Sequence, residues 1–330
     1  MDEDGMTGLM RETLQEGLSR CRGQPVRVRE LCRQFFFKSS TFWTEQLRVR
    51  LDGDEWLEVF FKDLNPRHQI EAARRLHKTE LEPAYRELQV YRQILSRERF
   101  GTPQLHAFRW DPPGEVFWLF LEHVGDTQLN HVGDFDLWLA AARWAARFHA
   151  ATRQLPAAQT ACLPRYDRAY YQGCAQRIRR KLPDLTTGDR PVIQRALDYH
   201  DGLSDWFGAL PQSVIHGEFF GKNIVVGGGD PDRRLAVVDW ETAAVGPSYL
   251  DLLNLSSGRW SAQQKQALCD AYFEQYRADT GLPLNRERFG QDLVRLGLHH
   301  ALKRLGALPD WNFRHGIGLW VRELERGLAS

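Results

Sequence analysis

Apolar residues along the first part of the chain change their spacing repeatedly. Residues 6 to 20 set Met6, Leu9, Met10, Leu14 and Leu18 at intervals of three and four, which predicts an amphipathic helix. From Thr41 to Leu51 the interval falls towards two, with Phe42, Leu47, Val49 and Leu51 on one face. Asp52-Gly53-Asp54 then supplies a hairpin turn, and Trp56 to Lys62 is the return strand. Helical spacing resumes over residues 69 to 96, with Leu88, Tyr91 and Leu95 on one stripe. Leu105 to Trp110 and Val116 to Leu121 make a second hairpin around Asp111-Pro112-Pro113-Gly114. Beyond Val124-Gly125-Asp126 the pattern is mostly helical, starting with Trp138, Ala141, Ala142, Ala145 and Phe148. Two strand signals interrupt it: Ser213 to Ile215 with Ile224 to Val226, and Leu235 to Val238. A β-rich front and a helical back predict an α+β chain of two lobes. The smaller, with an antiparallel sheet, spans residues 1–122; the larger, mostly helical, spans 123–330.

Composition narrows the class of function. The chain has 330 residues, 42% hydrophobic and 26% charged, enough for two moderate cores. A net charge of +1 leaves no basic face dense enough for nucleic acid. The one basic run, Arg177-Ile178-Arg179-Arg180-Lys181, reads as a solvated helix face. Five cysteines without a CxxC pair argue against a disulfide framework or a zinc site and for a reducing compartment. The acidic start Met1-Asp2-Glu3-Asp4-Gly5 lacks the apolar stretch of a secretory signal, and the longest apolar run, Val116 to Leu121, is too short for a bilayer. The expectation is a soluble cytoplasmic protein, monomer or weak homodimer, with no nucleic-acid or membrane partner.

The chemistry concentrates in Val214-Ile215-His216-Gly217-Glu218-Phe219-Phe220-Gly221-Lys222-Asn223-Ile224 and in Leu235-Ala236-Val237-Val238-Asp239-Trp240-Glu241. Each is a strand ending in a polar loop, so paired strands would gather Glu218, Asn223 and Asp239 at one end. Oxygen donors without thiolates or paired imidazoles suit magnesium rather than zinc. In the front part, Val59-Phe60-Phe61-Lys62 ends a strand with a lysine among bulky apolar residues, which is unfavourable unless the ammonium is paired or liganded. Arg86-Glu87-Leu88 offers a carboxylate on the following helix.

His216-Gly217-Glu218-x4-Asn223 resembles the HGD-x4-N catalytic loop of the aminoglycoside phosphotransferase and choline kinase superfamily. Asp239-Trp240-Glu241, followed by Gly246-Pro247 and Asp251-Leu252, resembles its metal-binding loop. The resemblance runs over roughly residues 35 to 325 and implies a protein-kinase-like fold. It also implies magnesium-dependent transfer of the γ-phosphoryl group of ATP, with GTP as the alternative, to a hydroxyl of a small molecule such as a sugar, an amino alcohol or an antibiotic. On this reading Glu218 takes the acceptor proton, His216 braces the loop, Asp251 bonds its backbone, and Lys222 joins the catalytic set. Asn223 and Asp239 are the metal ligands, with Glu241 beside them. Lys62 grips phosphate, Glu87 pairs with it, and the Leu121 and His123 backbone meets the adenine edge. Lys38-Ser39-Ser40-Thr41-Phe42 stands where a Gly-rich phosphate loop would be, with Ser39 and Ser40 as donors.

One position departs from the family pattern. Glu218 replaces an aspartate, adding roughly a bond length where reacting atoms must meet within about 3–3.5 Å. The alternative reading is therefore a catalytically silent nucleotide-binding regulator. For the acceptor, the insertion at 151–212 is rich in arginine, and the tail adds Lys303, Arg304, Arg314 and Arg322 with Trp311, Phe313 and Trp320. That mix suits a neutral or anionic hydroxyl compound at least as well as a polycation, or else simply forms solvated basic faces. Tyr166, Tyr170 and Tyr171 are sugar-stacking or packing residues, and His299-His300 reads as a helix face.

Overall fold

A computed structural model of the chain describes residues 2–36, 42–69, 82–96, 100–185, 188–228, 234–308, 311 and 317–329. They group into two compact units, Met1–His131 with Asn223–Thr242, and Val132–Lys222 with Ala243–Ser330. In chain order the elements are α1 (Glu3–Arg22), β1 (Val28–Phe35), β2 (Trp43–Leu51), β3 (Trp56–Asp63), α2 (Glu82–Val90), β4 (Leu105–Asp111), β5 (Val116–Glu122) and β6 (Thr127–Gln128). Then come α3 (Phe135–Thr152), α4 (Arg168–Lys181), α5 (Arg190–Asp201), α6 (Ser204–Ala209), β7 (Gln212–Ile215), β8 (Ile224–Gly227), β9 (Arg234–Val237) and β10 (Ala244–Pro247). Four helices finish the chain: α7 (Tyr249–Leu255), α8 (Ala262–Thr280), α9 (Arg286–Ala307) and α10 (Gly318–Ala329).

The first unit is built on an antiparallel sheet in the order β1-β2-β3-β5-β4. Its β2–β3 hairpin reverses at the expected turn, where Gly53 (φ 80°) and Asp54 (φ 61°) take left-handed backbone. The resulting register sets Lys62 between Thr44 of β2 and Leu119 of β5. Helix α1 starts where the Asp2 carboxylate accepts from the Gly5 amide (2.9 Å) and stops at left-handed Gly23. Its predicted stripe, Met10, Leu14 and Leu18, packs on Leu47, Val49, Val59, Phe61 and Phe120. Each such burial contributes about 1.5–3 kcal/mol. Gly17 lets α1 lie directly on β4, because a Cβ there would fall 2.4 Å from the Ala107 Cβ.

Helix α2 runs on into a π-helical turn, Tyr91–Leu95, and Leu88, Tyr91 and Leu95 are buried as their spacing predicts. The earlier part of the expected helix, residues 70–81, lies outside the described residues. The unit is completed by a small sheet in the order β6-β8-β9, both pairings antiparallel.

The second unit is mostly helical. Side chains of Asp134, Asp167, Ser261 and Asn285 cap the first turns of α3, α4, α8 and α9. Ile178 of α4, Ile193 and Leu197 of α5, Leu298, Leu302 and Leu305 of α9, and Leu324 of α10 share one core. The expected grouping of 213–215 with 224–226 is not what forms. β7 pairs antiparallel with β10, from Ile215↔Ala244 to Gln212↔Pro247, while β8 pairs with β9. His299 and His300 are not an outward helix face either; both are buried in this unit, against His200 and Asn254. Among the described residues no helix is long and apolar enough to cross a membrane.

Candidate active site

Lys62 reaches its place because β3 is an inner strand of the sheet, with β2 on one side and β5 on the other. Its ammonium is buried, donating to Glu87 Oε2 and to Asp239 Oδ1, each at 2.8 Å. Burial alone would lower its pKa. Asp239, Glu87 and Glu241 outweigh that and hold Lys62 protonated, well above the usual lysine value. Glu87 comes from α2, where its side chain is only 1% exposed. The carboxylate is therefore committed to the lysine rather than to water.

Asp239 follows β9 in a backbone conformation rare for a residue with a side chain, φ 69°. Such a conformation costs on the order of 1–3 kcal/mol and persists only where surroundings impose it. The residue after it is anchored: the Trp240 ring is fully buried, and its Nε1 donates back to the Val237 carbonyl (3.2 Å). The Val238 amide donates to the Asn223 carbonyl (3.0 Å), so Asn223 and Asp239 leave adjacent strand ends. Arg86 of α2 holds the Glu241 carbonyl (2.7 Å). Carboxylate oxygens of Glu87, Asp239 and Glu241 lie within 4.8 Å of one another. Three carboxylates against one ammonium leave the cluster formally short of positive charge, and its donors are all hard oxygens. That composition fits a hard divalent ion, which Asp239 and Glu241 could hold.

In the second unit the loop after β7 is pinned by its backbone. Asp251 is buried and accepts from the His216 amide (2.7 Å) and the Gly217 amide (2.9 Å). Burial would raise its pKa, but hydrogen bonds from His149 and from that backbone overcome this and hold it below the usual aspartate value. His149 shares hydrogen bonds with Asp251 (3.1 Å) and with the Tyr272 hydroxyl (2.8 Å). Asn254 donates to the Gly217 carbonyl (3.1 Å), and left-handed Gly217 (φ 82°) makes the turn. His216 is fully buried and accepts from the Glu218 amide (3.3 Å). The Glu218 side chain is about one-third exposed (35%), with Lys222 Nζ 3.6 Å from its carboxylate.

The remaining expected residues are less tightly placed. Leu121 is buried on β5, opposite Phe60 and Leu105. The His123 amide donates to the Glu58 carbonyl (3.3 Å), which commits that donor within the first unit. Its ring is not solvated but shares a hydrogen bond with Asp126 (3.1 Å). Ser39 and Ser40 lie outside the described residues. Sequence reasoning missed His149, Tyr272 and Asn254. Each stands alone on a helix with no motif, and only the fold shows that they serve the loop.

Residues 44–286 match the model of the phosphotransferase enzyme family, APH. No curated protein sequence matches the chain. Among solved structures, a Ralstonia eutropha JMP134 protein inferred to be an aminoglycoside phosphotransferase is 15% identical, with TM-score 0.60 over 99% of this chain and 98% of that one. Choline kinase from Cryptosporidium parvum Iowa II is 10% identical, with TM-score 0.58 over 99% and 96%. A spectinomycin phosphotransferase solved with ADP and spectinomycin is 10% identical, with TM-score 0.52 over 92% and 93%. At such identities the structures speak for the fold alone, which is protein-kinase-like. The family match covers well over half of the sequence and settles the class: the chain belongs to the phosphotransferase enzyme family and is a small-molecule phosphotransferase.

Proposed function

We propose that the protein transfers the γ-phosphoryl group of ATP, with magnesium, to a hydroxyl of a small molecule. The observation that carries this is the buried Lys62 ammonium held at 2.8 Å by both Glu87 and Asp239. Burying a cation with two carboxylates carries a desolvation cost, and triphosphate is the ligand that a preorganised ammonium beside metal-binding carboxylates suits. The ADP in the spectinomycin phosphotransferase of the same fold supports a nucleotide here.

Lys62 then grips the phosphates, Glu87 keeps its ammonium aimed, and the base lies against the segment from Leu121 to His123, whose Glu122 and His123 amides are already bonded within the first unit. Asp239, Asn223 and Glu241 would hold magnesium, which when bound would offset charge on the phosphate oxygens. The acceptor oxygen attacks the γ-phosphorus, the bond from that phosphorus to the ADP oxygen breaks, and the hydroxyl proton passes to the Glu218 carboxylate. Lys222, beside Glu218, adds positive charge at this loop. His216, Asp251 and Asn254 keep the loop backbone rigid, so that Glu218 meets the hydroxyl in a fixed pose.

The test is magnesium-dependent release of ADP from ATP, with and without added alcohols. Asp239→Ala should abolish it, and a wild-type rate in that variant would sink the assignment. Glu218→Gln should lower acceptor-dependent turnover by about 10²–10⁴-fold if it takes the proton. Nucleotide binding without turnover by the wild-type protein, across all acceptors tried, would favour the silent-regulator reading instead.

A further inference from the structure

Beside the Glu218 loop, the second unit presents positive charge. Helix α9 carries His300, Lys303 and Arg304 at intervals that share a face. His300 shares a hydrogen bond with Asn254 (3.0 Å), and Asn254 donates to the Gly217 carbonyl (3.1 Å), so this face abuts the loop itself. The Arg304 guanidinium lies 5.0 Å from the Phe220 ring and 5.8 Å from the Trp320 ring. Phe220 is bonded in turn through its amide to the Glu218 carbonyl (2.7 Å). Lys303 donates to the Tyr166 hydroxyl (3.2 Å) and sits 5.3 Å from that ring.

Both cations are half-buried, and among the described residues neither has a carboxylate within ion-pair distance (4.0 Å). Aromatic faces offset part of the cost of such cations but leave their charge uncancelled. The field is felt next door. Burial, then Lys303 and Arg304, push the His300 imidazole down to about 3, so it is neutral at ordinary pH.

We infer that the acceptor carries an anionic group, a carboxylate or a phosphate ester, which Arg304 and Lys303 receive while its hydroxyl meets Glu218. This rests on the phosphotransferase reading above and narrows it. Phe220 lies two residues beyond Glu218 on the same loop, and the side chain set against its ring is an arginine rather than a carboxylate. An acceptor bearing ammonium groups there would meet like charge and be selected against.

Matched alcohols test this on two skeletons: glycerol, 3-amino-1,2-propanediol, glycerate and glycerol phosphate; and glucose, glucosamine, glucuronate and glucose phosphate. Acceptor-stimulated ADP release is measured at low ionic strength. Within a skeleton, at least one anionic member should exceed its ammonium counterpart by about 10-fold or more in kcat/KM. Carboxylate and phosphate arms identify which anion is preferred. In Arg304→Gln that ratio should collapse towards one through KM, and Arg304→Lys should restore part of it. Lys303→Gln, with melting temperature as a folding control, gives a second reading should Arg304→Gln not fold. The inference is overturned by preference for the ammonium members, by an unchanged ratio in both glutamine variants, or by no stimulation from any anionic member. Failure of the phosphotransferase reading is seen separately, as absence of Asp239-dependent ATP hydrolysis by the wild-type protein.

Discussion

A carboxylate fully inside a protein is expected to be neutral, yet Asp251 is held below the ordinary aspartate value by the groups that bond it. The sign of the consequence is fixed. The ionised form is favoured in the folded state, so its contribution is complete above the unfolded pKa of about 4 and fades as pH falls through the lower folded value. Asp251→Asn should therefore cost about 3–5 kcal/mol at pH 7, because an amide cannot replace a carboxylate facing two N–H donors and His149. Urea unfolding of both proteins from pH 7 down to pH 3 should show the gap narrowing below about pH 4. A gap constant across that range would refute an ionised Asp251. At this scale the sequence was legible wherever chemistry obliged neighbours in the chain to cooperate. A lysine closing an apolar strand needs a carboxylate, and among the several on the next helix the family resemblance pointed to Glu87. His149 was not legible, because its partner Asp251 lies 102 residues away and neither position has a pattern that names the other.

Elements with a strong local period were readable; elements defined by a distant partner were not. The α1 stripe and the β2–β3 hairpin follow from spacing and a turn sequence alone. Strand β10 escaped notice because Ala244-Val245-Gly246-Pro247 has neither alternation nor β-branched density, and its existence depends on pairing with β7. For the same reason β7 could not be assigned its partner, since an apolar run says that a strand will be covered but not by which neighbour. The π turn at Tyr91–Leu95 is likewise a property of packing. How α1 seats on the sheet yields a test with opposite signs on one helix. Gly17→Ala would put a Cβ 2.4 Å from Ala107 Cβ and 2.5 Å from the His106 carbonyl, so backbone must move. That cost, about 1–3 kcal/mol, exceeds the gain of at most about 1 kcal/mol in helix propensity. At exposed Gly8 nothing lies within 4 Å of the new methyl, and Gly8→Ala should raise stability by up to about 1 kcal/mol. Thermal melts of both variants decide it; shifts of the same sign would show that α1 does not rest on β4 at Gly17.

For the whole molecule, composition is a poor guide to where charge acts. A net charge of +1 conceals a first unit with three carboxylates around one ammonium and a second unit whose α9 bears two cations without carboxylate partners among the described residues. The fold class was legible because strand and helix periods segregate along the chain. The charge poles were not: the first is assembled from residues far apart in sequence, and for adjacent Lys303 and Arg304 the sequence does not say which side chains the fold sets against them. The first pole makes a prediction that needs no turnover. If Glu87, Asp239 and Glu241 repel one another across 4.8 Å, a divalent ion stabilises the folded first unit by relieving that repulsion. A nucleotide binding with it adds further stabilisation. Linkage sets the size: at 100 times the dissociation constant the folded state gains about 2.7 kcal/mol. Magnesium with ADP should raise the melting temperature by several degrees, chelation should reverse it, and Asp239→Ala should show little response. Because each unit has its own core, hydrogen exchange should locate the gain in β3, α2 and the 234–242 segment rather than across the chain. A ligand-induced shift of equal size in Asp239→Ala would place the nucleotide and its ion away from the Lys62 cluster and would undo the assignment of that cluster.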